Sequence, residues 1–177
     1  MTQHRDPLDG RIGEGWSGEA PNGSHINVVV ARRGSAAHAA IVGALASPRP
    51  GHVPFLPVMQ LGEVVRPVAV IVNKNTLPPD GGELARLTWG AAHLGIAQGV
   101  LDCVADGTLP AEQVDDLALL VAVWVSGDAS DETGLKTANR EACAAAIRDA
   151  VRHVSAEEAR ALADRREEAS NVYYQGS

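Results

Sequence analysis

With 177 residues, 45% of them hydrophobic and only 3% aromatic, the chain has the length of one domain whose core must be packed from Val, Leu, Ile and Ala. A formal charge of -7 and a pI near 5.3 exclude an extended basic surface for a phosphate backbone, so nucleic acid is not an expected partner. Cys103 and Cys143 are too far apart in sequence for a paired zinc motif, no apolar run is long enough to span a bilayer, and the polar start is unlike a secretory leader; these point to the cytoplasm and away from membranes.

Residues 1–22 are charged and glycine-rich with an isolated Trp16, which predicts a flexible N-terminal arm ahead of a domain over residues 23–154. The first strand begins at Ser24. In an extended chain His25, Asn27 and Val29 share one face and Ile26, Val28 and Val30 the other, so an imidazole and an amide stand together beside a buried apolar row. Ser35 caps a helix predicted over residues 36–46, and Ser47-Pro-Arg-Pro-Gly51 ends it. Strands are predicted at residues 52–60 and 67–76, the second leaving polar Asn73, Lys74 and Thr76 at its exit.

Leu84, Leu87, Ala91 and Leu94 recur at helical spacing as far as Asp106-Gly107. A second stripe on that helix, Trp89, His93, Ile96 and Val100, is expected to be left uncovered by one sheet and so to contact another subunit. Residues 117–125 form the most apolar strand, and a helix near residues 139–153 is expected to bury Cys143, Ile147, Val151 and Val154. Ser155 and Glu158 form a capping box opening a charged helix over residues 155–168, and residues 169–177 resemble a protease-site remnant added for expression.

Among candidate catalytic groups His25 leads, because an imidazole transfers protons near neutral pH. The alternative for His25 is a strand-end histidine bonded to a backbone carbonyl. Lys74 and Thr76 lie two apart and can line one pocket, or form an ordinary solvated strand end. His93 follows Trp89 by one helical turn and could stack on a flat ring or fill an interface. His52 reads as structural. Metal binding is not expected, for want of a His-Glu-x-x-His helix or a paired-Cys motif, and no Gly-x-Ser-x-Gly elbow supports a serine hydrolase. Arg32-Arg33-Gly34-Ser35 lacks the glycine spacing of a phosphate loop, and Asp115-Asp116 reads as capping or solvated.

His25-Ile26, Arg33-Gly34-Ser35, Gly51-His52 with Pro54 and Leu56, Pro67, Asn73-Lys74 with Thr76, Trp89-Gly90 with Ala92, Gly107 with Pro110, and Asp115-Asp116 together resemble the formaldehyde-activating enzyme family. The likeness runs from about residue 18 to residue 153. It implies an α/β (α+β) two-layer sandwich like the second domain of ribosomal protein S5. It further implies a homopentamer and a lyase that condenses formaldehyde with tetrahydromethanopterin, the pterin being co-substrate with no tightly bound cofactor. In that family the position of His25 is the proposed proton donor, and those of Asn27, Leu56, Lys74, Thr76 and His93 contact the pterin. Asn27 stands where the family has an aspartate, so His25 is expected to lose a carboxylate neighbour, and His93 replaces a glutamine. The chain therefore reads as a diverged paralogue. The alternative function is a non-catalytic protein that binds or senses formaldehyde or a pterin, and an enzyme acting on another amine or aldehyde is a third reading.

Overall fold

The strand that carries His25 is central to the sheet. In the computed structural model, which describes residues 8–170, four strands pair in the order β1 (Arg11–Ser17), β2 (Ser24–Arg32), β6 (Leu117–Val125) and β5 (Val68–Asn73). β1 and β6 run antiparallel to β2, and β5 is parallel to β6. A short separate hairpin pairs β3 (Val58–Gln60) with β4 (Glu63–Val64). The result is α+β, with a mixed sheet.

The strand alternation holds. Ile26, Val28 and Val30 are fully buried and share a core with Leu119, Val121, Val123, Ile96, Val100 and Ile147. The helices on this face are α3 (His93–Ala105) and α4 (Glu132–Val151), preceded by α2 (Gly82–Leu87) and a π-helical turn at Thr88–Ala92 that joins α2 to α3. α1 (Ala36–Ala46), capped by the Ser35 hydroxyl accepting from the His38 amide, covers only one end of the opposite face, over Ala31, Val70 and Ala118. The rest of that face is open, with Ile12 70% and Trp16 52% exposed.

Several expectations change. Residues 11–17 belong to the sheet rather than to an arm, because Gly13 and Gly15 let β1 lie directly under α4 and pair with β2 through its full length. The strand expected at residues 52–60 shrinks to β3 and an isolated pairing of Phe55 with Ile71, since Pro54 and Pro57 have no amide to donate. The helix expected from residue 139 starts seven residues earlier, at an Asp131 cap, and ends at Val151, which leaves Val154 beyond it exposed rather than buried. Ile96 and Val100 are buried in the main core, so half of the stripe expected to meet another subunit is covered by the chain itself; Trp89 and Leu94 remain exposed. α5 (Ala156–Asp164) opens with the expected capping box. The expectations for residues 1–7 and 171–177 lie outside the described residues. No described helix is long and apolar enough to cross a membrane.

A Cβ added at Gly13 would fall on the Ala146 carbonyl oxygen, and one at Gly15 on that of Ala142, both rigid helix backbone. Gly13→Ala and Gly15→Ala are each expected to cost about 2–3 kcal/mol by overpacking. Gly43→Ala, in open space on α1, should instead gain up to ~1 kcal/mol. Urea denaturation of the three variants checks the contrast, and equal midpoints would refute the close-packing account.

Candidate active site

On the open face, sheet register creates two rows of side chains. Trp16 pairs with His25 and His25 with Trp124; Glu14 pairs with Asn27 and Asn27 with Ala122, which also opposes Val72. The Trp16 and Trp124 rings stack at 6.2 Å, and the Trp16 ring lies 5.7 Å from the imidazole. His25 is thus flanked by indoles while its side chain stays 29% exposed, enough for a small molecule to reach.

Both imidazole nitrogens have charged-group partners. Nε2 lies 2.7 Å from Glu14 Oε1, and Nδ1 lies 3.2 Å from Lys74 Nζ. A carboxylate only accepts, so Nε2–H donates to Glu14; Nδ1 then accepts from a Lys74 ammonium or donates to a Lys74 free amine. Burial pulls the Lys74 ammonium below the ordinary lysine range, and the Glu14 charge pulls partly the other way. Lys74 reaches His25 across β6 from a strand exit held on both sides. Asn73 Nδ2 donates to the Gly51 carbonyl at 2.7 Å and to the Asn75 carbonyl, and Asn75 Oδ1 accepts from the Val125 amide at 3.1 Å.

Of the residues singled out in the sequence, His25, Asn27 and Lys74 therefore share one face. Leu56 packs at its far end against the α1 cluster of Ala31, Ile41, Val70 and Ala118. Between α1 and the chain from His52 to Pro54 runs a groove of about 560 Å³ with Val72 in its lining, in the same row as Asn27. Thr76 meets His52 instead of His25: His52 Nδ1–H donates to the Asn73 carbonyl at 2.8 Å, leaving Nε2 to accept from the Thr76 hydroxyl at 3.3 Å. Arg32 pairs with Asp116 and Arg66 with Asp115, which accounts for the paired aspartates and for the first arginine of the Arg32-Arg33 turn.

His93 stands on the helical side, edge-on to Phe55 at 5.3 Å. Its Nε2 accepts from the Val58 amide at 3.0 Å and its Nδ1–H donates to the Trp89 carbonyl at 3.2 Å, so backbone groups hold both nitrogens of a neutral ring.

Glu14 and Trp16 went unrecognised as site residues because the segment carrying them reads as an arm. Its alternation of Gly13 and Gly15 with Ile12, Glu14 and Trp16 is the signal of a strand with one face reserved for close packing. The expectation that His25 lacks a carboxylate neighbour is overturned as well: Asn27 supplies none, but Glu14, opposite Asn27 on the next strand, does.

The fold and this constellation define a small α+β protein that presents an imidazole, with an amine and a carboxylate as its partners, on the open face of a sheet. Within that class the chain belongs to the formaldehyde-activating enzyme family, whose family model matches residues 12–173. It is 39% identical over 140 residues to a 5,6,7,8-tetrahydromethanopterin hydro-lyase of Methanosarcina barkeri, covering 79% of this chain and 78% of that one. It is 30% identical over 146 residues to a bifunctional enzyme Fae/Hps of Archaeoglobus fulgidus and 29% identical over 140 residues to one of Methanothrix thermoacetophila. It covers 82% and 79% of this chain in these two matches but spans only 36% and 35% of those longer proteins.

Burial holds the His93 ring below the ordinary histidine value of 6.5, against the opposing bond to the Trp89 carbonyl. The folded chain therefore resists a proton that the unfolded chain accepts, so stability present above about pH 6.5 is lost as pH falls through that value and below. Denaturation midpoints between about pH 7.5 and 5.5 should fall less steeply for His93→Gln than for the wild type. Identical slopes would remove His93 as the source.

Proposed function

We propose that the chain is a lyase that condenses formaldehyde with tetrahydromethanopterin, or a related reduced pterin, to the methylene adduct, with His25 as general acid. The reading is carried by the placement of His25: partly exposed on the open face of the sheet, between Glu14 and Lys74. One pterin nitrogen adds to formaldehyde to give a carbinolamine. Its hydroxyl departs as water when His25 supplies a proton, and the second nitrogen closes on the resulting iminium. Holding the aldehyde beside the amine removes entropic cost as well.

In this reading Asn27, Leu56, Lys74, Thr76 and His93 contact the pterin. The groove volume lies within the range of small-molecule sites, roughly 300–1,000 Å³. His93 is separated from His25 by the sheet edge within one chain, which suits sites shared between neighbouring subunits of a homopentamer. The same reading takes the fold as that of the second domain of ribosomal protein S5 and the cytoplasm as its place of action. Support comes from the family, from the hydro-lyase name of the Methanosarcina barkeri relative, and from the exposed Trp16, Trp89 and Ile12.

Purified protein is expected to accelerate methylene adduct formation over the spontaneous rate, and His25→Ala to lose about a hundredfold or more of that acceleration. Stopped-flow absorbance with several reduced pterins measures both. Tight pterin binding in calorimetry with no acceleration would replace the enzyme by the binding or sensing protein.

A further inference from the structure

We propose that Lys74 is the nucleophile of a Lys74–His25–Glu14 triad, capturing formaldehyde as a Schiff base before its carbon passes to the diamine of the pterin. The proposal rests on the reading above for the identity of aldehyde and amine, and goes beyond the anchoring role given there to Lys74.

Three observations carry it. An amine, an imidazole and a carboxylate lie in sequence, with Nζ 3.2 Å from Nδ1 and Nε2 2.7 Å from Oε1, which is the relation of nucleophile, base and orienting group in covalent catalysis. Lys74 is partly buried on an otherwise largely apolar face, and burial favours the free amine, the form that attacks a carbonyl. Finally, the chain contains two lysines, Lys74 and Lys136, against thirteen arginines. Among the described residues, surface ion pairs use arginine, as in Arg140–Asp102, Arg148–Asp106 and Arg152–Glu158. Arginine also serves better than lysine as a purely electrostatic anchor, but its guanidinium stays protonated and has no free amine to offer. A lysine at this position is what imine chemistry needs.

The steps balance. The Lys74 nitrogen lone pair bonds to the formaldehyde carbon as the C=O π bond breaks; the amine proton passes through His25 to the oxygen, giving a carbinolamine. Protonation by His25 expels water and leaves a Lys74 iminium. A pterin nitrogen adds to the iminium carbon and its proton passes through His25 to the Lys74 nitrogen; cleavage of the Lys74–carbon bond then releases the free amine and a pterin iminium, which the second nitrogen closes as its proton returns to His25. The net change is formaldehyde plus diamine to methylene adduct plus water, with no oxidant or reductant.

Formaldehyde with cyanoborohydride, without pterin, tests capture: reduction of an imine adds about 14 Da, and peptide mapping compares the two lysines in one chain. Lys74 is expected to label about tenfold or more faster than Lys136, and Glu14→Gln to reduce that preference. Reduced pterin added before the reductant should discharge Lys74 and leave Lys136 unaffected. Lys74→Arg, keeping the charge, should lose the acceleration of adduct formation. Equal labelling of both lysines, a Lys74 label that pterin does not discharge, or wild-type rates from a folded Lys74→Arg protein would each overturn the nucleophile while leaving the lyase standing. Selective capture by a wild-type protein that accelerates no pterin reaction would uphold the nucleophile and sink the proposed substrate.

Discussion

The architecture depends on how closely α4 can approach its neighbours. Four glycines face its backbone, Gly13 and Gly15 from β1 and Gly95 and Gly99 from α3, and at each a Cβ would strike helix backbone at Lys136, Arg140, Ala142 or Ala146. The helix answers with alanines at 138, 142, 144, 146 and 150, all buried. With little aromatic volume available, the chain fills its interior by bringing backbones together rather than by inserting large rings. β1 is drawn into the sheet by this contact, and its outward residues are thereby placed on the open face.

The candidate site follows from that. All four strands contribute to it: β1 brings Glu14 and Trp16, β2 brings His25 and Asn27, β6 brings Trp124, and the exit of β5 brings Lys74 across β6. A carboxylate is beside His25 although the residue two positions along is an amide, because cross-strand neighbours are as close as neighbours on the same face of one strand. Divergence at Asn27 therefore leaves charge at the imidazole.

His93 shows the opposite relation between pattern and place. Its spacing from Trp89 suggests a ring available for stacking, but the helical carbonyl one turn back and the Val58 amide of the edge hairpin use both nitrogens. Buried backbone donors and acceptors need partners, and this imidazole satisfies one of each. Ile96 and Val100 make a similar point. A helix stripe looks uncovered when only one sheet is considered, and in the fold both residues lie in the core shared by the sheet and its helices.

Local chemistry was enough to specify a good deal. The Ser35 cap and its helix, the apolar strand over residues 117–125, the two faces of β2, the helix stop at Asp106-Gly107 and the capping box at Ser155 are all encoded within a few residues, where periodicity and capping act directly. The motifs that identify the family were equally readable, as was the prominence of His25 and Lys74. What lay beyond the sequence were the relations between distant segments. Glu14 and His25 are 11 positions apart and Lys74 and His25 are 49, and only strand pairing and the packing of α4 against β1 convert those separations into hydrogen-bond distances. An edge strand rich in glycine has weak intrinsic β preference, so its place in the sheet is decided by the helix it packs beneath.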